Sequence, residues 1–429
     1  MFGFANFLLL ALFAAAVFDL IFALAKGGGL RGALHGLWNT PHLLFGQQLA
    51  EWRLQLGRIL FAAGLAAYEI SVVFCNSMAR QNWAWVQGVM SPVLEWLAFL
   101  CFGAKILFGT RYTWRELLAG GALYFIARWV YFNSQNIWWI GIVVAVLAAK
   151  DVPLRHPLQV YFASGCAAMA VVLALHFAGI VAPDLTSERM GALRGTYGYG
   201  HPNTFGGLVF GLVLAYALLR AQKVRWVDCL LVFAVGVFLL VGPASRSAAL
   251  CTLALAVGLV LCRLRAGHSV PRWWPGTCAG MVGLTAAVSY LLPLLVIKVG
   301  PWNNDIGPAW LAKLDSLLTC RISLTWMAYR LLDVKIAGQV FNWPTVDNSF
   351  AFALFQFGPV VAALLGILFA AALWGHAKQG RRVEVCCLFA MLAYAYMEVQ
   401  PFHLTTNPTA LLLCGAVFAQ TSARWQKIE

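Results

Sequence analysis

The sequence predicts an all-α, polytopic membrane protein with about 12–14 transmembrane helices and one large extracytoplasmic loop containing an amphipathic helix. Three observations predict it. The 429 residues are 62% hydrophobic and 11% charged, with a mean hydropathy of +0.77, whereas a soluble domain needs about 25% charged residues to face water. Apolar runs of about 20 residues, the length that crosses a bilayer, recur along the whole chain. Lys and Arg are concentrated in alternate loops between those runs.

The first run, Met1 to Ala25, has no basic leading segment and no small-residue cleavage signature, and reads as a retained helix, not a removed signal. Apolar runs bounded by polar breaks then predict spans near 4–25, 59–75, 86–108, 116–132, 136–149, 158–182, 204–220, 226–242, 247–262, 275–299, 348–374, 383–398 and 405–420. No soluble domain or internal repeat interrupts them. The chain is therefore one polytopic domain, 1–429, with a long loop at 300–346. Its eleven cysteines lie mostly inside apolar runs, without a CxxC pair. They read as small packing residues, not as a zinc or disulfide framework.

Orientation follows from charge. Lys26, Arg31, Arg53 and Arg58 share a side with Lys105, Arg111 and Arg115, with Lys150 and Arg155, and with Lys223 and Arg225. Arg263, Arg265 and Arg272, then Lys378, Arg381 and Arg382, and finally Arg424 and Lys427 continue the series. The positive-inside rule makes this side, and the C-terminus, cytoplasmic. The same bias, with attraction to anionic lipid, accounts for the net charge of +14 without nucleic acid as a partner.

Three segments then face outward: Arg194 to Asn203, Pro243 to Ser247, and the long loop ending at Val346-Asp-Asn-Ser349. Arg246 stands at a helix start, with Ser245 or Ser247 as N-cap. There it either completes an anion site with the free N–H groups or anchors the helix at the interface. Gly195, Gly198 and Gly200 let the backbone bend ahead of His201-Pro202, with Asn203 or Thr204 capping the next helix. A lone loop histidine is more often structural than catalytic. Tyr197 and Tyr199 suit sugar stacking or simple interfacial placement. In the long loop, a single helix is expected from about Ala309 to Leu332, with Trp310, Leu314, Leu317, Arg321, Leu324, Ala328 and Leu331 on one face. Arg321 in that apolar stripe requires an anion: Asp315, Asp347 or a bound phosphate. Asp347-Asn348-Ser349 opens a further helix, either as plain caps or with Asp347 as a general base. Among acidic residues within spans (Asp19, Glu69, Glu95, Glu398), Glu398 stands out beside Gln400, Pro401 and His403 at an outer helix end. No H-E-x-x-H, CxxC or DxD-type cluster points to a metal.

An Arg upstream of Gly-Tyr-Gly-His-Pro-Asn-Thr-Phe-Gly, then Ser-Arg at a helix start, then a large loop with Leu-Asp-Ser-Leu-Leu-Thr-Cys-Arg-Ile-Ser-Leu that ends in Asp-Asn-Ser-Phe-Ala-Phe-Ala-Leu-Phe-Gln-Phe-Gly resembles the O-antigen ligase and polymerase superfamily. Within it, the chain looks most like the Wzy-type polysaccharide polymerases of Gram-positive bacteria, to which Ala148-Ala-Lys-Asp-Val152 also fits. The resemblance covers roughly 148–360. It implies a metal-independent, inverting glycosyltransferase in the bacterial cytoplasmic membrane, without cofactors, that polymerises undecaprenyl-diphosphate-linked repeat units on the outer face. Membrane lipids, a flippase and a chain-length regulator would be its partners. Arg246 and Arg321 match the family's diphosphate-binding positions, with Arg194 as a third; Tyr199, Asn203 and Asn348 are the substrate-binding candidates. The ligase branch has a His where this chain has Asp347, which leaves the base open between Asp347 and His201. A ligase acting on another acceptor, or a flippase for lipid-linked oligosaccharides, are the competing readings. A flippase would show a charged central path and an internal repeat.

Overall fold

The computed structural model describes residues 2–25, 29–45, 50–181, 187–189, 192–296 and 307–418. Helix follows helix almost without interruption: α1 (Phe2–Ala25), α2 (Leu30–Asn39), α3 (Ala50–Cys75), α4 (Ala79–Asn82), α5 (Ser91–Phe108) and α6 (Trp114–Ser134). Next come α7 (Ile137–Ala148), α8 (Arg155–Phe177), α9 (Pro202–Leu219), α10 (Trp226–Val241), α11 (Arg246–Leu264) and α12 (Trp274–Leu291). The long loop contributes α13 (Ala309–Leu317) and α14 (Arg321–Leu331), and the chain continues with α15 (Ser349–Phe352), α16 (Pro359–Lys378), α17 (Arg382–Met397) and α18 (Cys414–Val417). Two short antiparallel pairs, His42–Leu43 with Arg111–Tyr112 and Ser187–Arg189 with Ala192–Arg194, are the only sheets among the described residues.

Eight described helices are long and apolar enough to cross a membrane: Asn6–Ala25, Glu51–Cys75, Val86–Phe108, Arg155–Phe177, Pro202–Leu219, Arg246–Leu264, Trp274–Leu295 and Pro359–Lys378. The other five expected spans take different forms. The 116–132 segment is α6, whose 21 residues include Arg115, Glu116 and Arg128. The 136–149 and 226–242 segments are α7 and α10, with 12 and 16 residues. The 383–398 segment is α17, also 16 residues long. The 405–420 segment opens as a tight 3-10 turn, Pro408–Leu413, because Pro408 lacks a donor and Asn407 accepts from the Ala410 N–H at 3.2 Å.

The expected 348–374 span is likewise divided. After α15 and a wide π-turn (Ala353–Phe357), Gly358 takes φ +88° and Pro359 restarts the helix as α16. Left-handed backbone followed by proline ends one helix and pre-sets the next.

Burial is distributed inside out. In α7 every residue from Trp139 to Ala148 is buried, so this helix is core on all sides. In α10, Cys229, Val232, Gly236 and Leu239 face α11, while Val227, Leu230, Phe233, Val237 and Leu240 are exposed on the opposite side. Large apolar side chains at helical spacing on an exposed face suit lipid, not water.

The 309–332 segment is two helices, not one, and several stripe residues are exposed: Trp310, Leu317 and Leu331. Thr319 and Cys320 take left-handed φ values of 60° and 63°. The Cys320 N–H reaches the Asp315 carbonyl (2.8 Å) and the Thr319 N–H the Ser316 carbonyl (3.1 Å), the paired bonds that terminate a helix in a Schellman turn. The Asp315 carboxylate then turns forward and caps α14, accepting from the Ile322 N–H (2.8 Å), the Ser323 N–H (3.2 Å) and the Ser323 hydroxyl (2.8 Å). Heptad-like spacing cannot reveal such a break, because the apolar period continues across it.

Candidate functional site

The starts of α9, α11, α14 and α15 and the end of α17 meet around one acidic residue, Glu398. Glu398 follows the last residue of α17 in extended conformation and is 5% exposed. Its Oε1 accepts from Arg321 Nη2 (2.6 Å), the Ser247 hydroxyl (2.8 Å) and Asn203 Nδ2 (2.9 Å). Its backbone carbonyl accepts from the Ser349 hydroxyl (2.5 Å). One residue thus ties together segments distant in sequence.

Arg321 is the first residue of α14 and is 8% exposed. Besides Glu398, its guanidinium donates to the Leu318 carbonyl (2.9 Å), to the Met397 carbonyl and, at 3.4 Å, to Ser247. Its counter-ion is therefore Glu398, a partner missing from the sequence-based set of Asp315, Asp347 or phosphate; Asp315 is occupied in capping α14. The fork geometry of Arg satisfies several acceptors at once, which offsets the cost of burying its charge.

Arg194 is also buried. Its Nη2 donates to Asn203 Oδ1 (2.9 Å) and to the Ala244 carbonyl (3.3 Å), and the Ser245 hydroxyl approaches the same Oδ1 at 3.4 Å. Asn203 is thereby a bridge, with one end on Arg194 and the other on Glu398. Of the other predicted residues, Arg246 is the exposed first residue of α11, next to the Ser247 hydroxyl that reaches Glu398. Asp347 is half-buried, and its negative charge acts on Glu398.

Several expectations change. His201 itself, not Asn203 or Thr204, is the N-cap of α9: its Nδ1 accepts from the Asn203 N–H at 3.1 Å. That bond occupies one ring nitrogen of an exposed histidine. Ser245 occupies the N-cap position of α11, but its hydroxyl makes no cap bond. Asn348 caps α15 through Oδ1, donates from Nδ2 to Ser289 Oγ (3.1 Å) and is 4% exposed, so both ends of its amide serve the fold. Tyr199 is fully buried against Phe205, with ring centroids 5.7 Å apart, and pairs with Ser77 in a β-bridge. It holds the 194–203 loop and presents no surface. Gly198 does serve the bend: φ is +81°, and a Cβ there would lie 3.0 Å from His176 Cβ.

Burial raises the Glu398 carboxyl above the ordinary carboxylate range; the Arg321 charge opposes this, the Asp347 charge adds to it, and the bonds from Ser247 and Arg321 oppose it. The arrangement concentrates positive charge: three arginines and the N-termini of α9, α11 and α14 gather at one end of the bundle, against Glu398 and Asp347. Among the described residues, no group of three or more His, Cys, Asp or Glu could hold a metal.

Glu398 is the residue sequence reasoning singled out but gave no role. Its one local signal was a carboxylate at the end of an apolar run. Ser247 and Ser349 carried no signal beyond capping. No protein-family model matches the chain, and neither the curated proteins nor the solved structures give a significant match.

Proposed function

We propose that this protein is a membrane glycosyltransferase that polymerises repeat units carried on undecaprenyl diphosphate at the outer face of the bacterial cytoplasmic membrane. The observation that carries the reading is the gathering of Arg194, Arg246 and Arg321 with three helix N-termini at one end of an apolar bundle. Departure of a lipid diphosphate from a glycosyl donor builds negative charge on the leaving group. Fixed guanidinium groups and helix dipoles stabilise that charge without a metal. Exposed Arg246 makes the first contact with the diphosphate. Arg321, held by Glu398, is then shared with a phosphate oxygen.

Asp347 is the base in this reading, because its half-buried carboxylate is the acidic group beside the network that makes no cap bond. It takes the proton from the acceptor hydroxyl as that oxygen attacks the anomeric carbon and the carbon–diphosphate bond breaks. The resemblance to the O-antigen ligase and polymerase superfamily supports the reaction class but leaves the base open between Asp347 and His201, and the charge bias of the loops supports a cytoplasmic C-terminus.

The test is deletion of the gene followed by analysis of lipid-linked glycans. Single repeat units on the carrier, restored to polymer by the wild-type gene but not by Arg246→Ala, are the expected result. Long polymer retained on the carrier would make the protein a ligase instead. Material trapped on the cytoplasmic side would make it a flippase and overturn the proposal.

A further inference from the structure

At the end of the bundle opposite Glu398 lies a cavity of about 410 Å³. α9 and α17 each run between the two ends: α9 from Pro202 to Leu219, α17 from Arg382 to Met397, with Glu398 next. The cavity is walled by the start of α8, the turn after α9 and the first turn of α17, with Leu158 and Leu412 as apolar wall. Four cations line it: Arg155, Arg220, Lys223 and Arg381, against a single carboxylate, Glu384. Arg220 is committed elsewhere, to Asp228 at 3.2 Å and to the Lys223 carbonyl at 3.4 Å. Among the described residues, the side chains of Arg155, Lys223 and Arg381 make no hydrogen bond and no ion pair within 4 Å, and Glu384, on which the Arg381 charge acts, is one carboxylate against four cations.

We propose that this cavity is a binding site for a phosphate-bearing anion, independent of the chemistry at the Glu398 end. Topogenesis alone explains why these loops are basic, since positive loops stay on one side of the membrane. It does not explain why cations from three separate loops converge on one roomy cavity. Like charges held together repel unless an anion lies between them, and guanidinium and ammonium groups together suit a phosphate. Placed between helices with leucines on the wall, the site fits the headgroup of an anionic phospholipid with its chains along the bundle. A soluble phosphate compound offers the same chemistry, and the test separates the two sources.

The full-length protein, purified in detergent, is offered phosphatidylglycerol, phosphatidylcholine or inorganic phosphate, with retained adducts read by native mass spectrometry and stability by thermal melting. Wild type retains phosphatidylglycerol over phosphatidylcholine and melts higher with it. Lys223→Gln/Arg381→Gln weakens that retention roughly tenfold, the effect of losing a charge-assisted hydrogen bond. Arg272→Gln, also basic but outside the cavity, leaves it unchanged. Equal stabilisation by inorganic phosphate, lost in the same double variant, assigns the site to a soluble phosphate. Arg155 is exposed, so Arg155→Gln gives a second reading even if the double variant does not fold. If Arg155→Gln and the double variant retain either probe as well as wild type does, the proposal is overturned. The same holds if Arg272→Gln weakens retention as much as they do.

Discussion

Replacing Arg321 by methionine should strongly destabilise the protein, because it breaks the buried pair at the Glu398 end. Methionine keeps much of the volume and the helix propensity, so the change isolates charge and hydrogen bonding. The variant loses the 2.6 Å bond to Glu398, the 2.9 Å bond to the Leu318 carbonyl and the bond to the Met397 carbonyl. It also leaves a carboxylate that is 5% exposed without its counter-ion. Asn203 and Ser247 still donate to Glu398, which keeps the penalty below that of a bare buried charge. Removing one partner of a buried pair costs about 3–5 kcal/mol, equivalent to a melting temperature about 3–6 °C lower for a chain of this length. Intrinsic tryptophan fluorescence in detergent reads this directly. Glu398→Leu should cost a similar amount, because it strands Arg321. The double variant Arg321→Met/Glu398→Leu should recover most of the loss, because an apolar pair of similar volume replaces the ionic one. Arg321→Met within 1 kcal/mol of wild type, or a double variant as unstable as the sum of the singles, would refute the reasoning.

Gly206→Ala places a Cβ 2.3 Å from Ser245 Oγ and 2.6 Å from Ser245 Cβ, so α9 and the α11 start must separate at a cost of about 1–3 kcal/mol; a melting temperature equal to that of wild type would show that the two segments are not in contact. Glu398 titrates above the ordinary carboxylate range, so the folded state holds its proton more tightly than the unfolded state. Its contribution is therefore complete at pH values below the ordinary carboxylate range and is lost as pH rises through the raised folded value. Melting curves of wild type and Glu398→Gln across pH should converge or cross in that direction, and a gap that widens in favour of wild type as pH rises contradicts the assignment. Asp347→Asn should lower polymer formation about 10²–10⁴-fold, the usual worth of a general base, with the melting temperature unchanged; full activity in this variant removes Asp347 from the mechanism.

The fold was legible where composition decides it. Apolar runs located six of the eight long helices to within about five residues at each end, because a bilayer-length run favours a spanning helix; 59–75 begins late against Glu51–Cys75 and 348–374 begins early against Pro359–Lys378. Segments failed where local chemistry overrides the run. Gly358-Pro359 splits a continuous apolar stretch, and Pro408 tightens another into a 3-10 turn. The break at Thr319-Cys320 contains neither glycine nor proline, and it depends on Asp315 reaching forward to cap the next helix, a side-chain choice that periodicity does not record.

The site was legible only in its positive half. Arg246 and Arg321 stand at helix starts and Arg194 at the end of the short strand before α9; a basic residue in an apolar setting invites an anionic partner, and so they could be named one at a time. Arg321 and, through Asn203, Arg194 are tied to Glu398, which lies far along the chain from both; its sequence neighbours set it apart from other carboxylates but do not pair it with an arginine. A buried arginine requires its charge to be matched, but the sequence does not say by what; packing α17 against α11 and α9 decides it. The match also explains why Asn203, Ser247 and Ser349 are polar at all. Asn203 and Ser247 donate to the Glu398 carboxylate and Ser349 to its backbone carbonyl, so residues that read singly as helix caps act together as the shell of one acidic residue, whose carboxylate in turn fixes the position of Arg321.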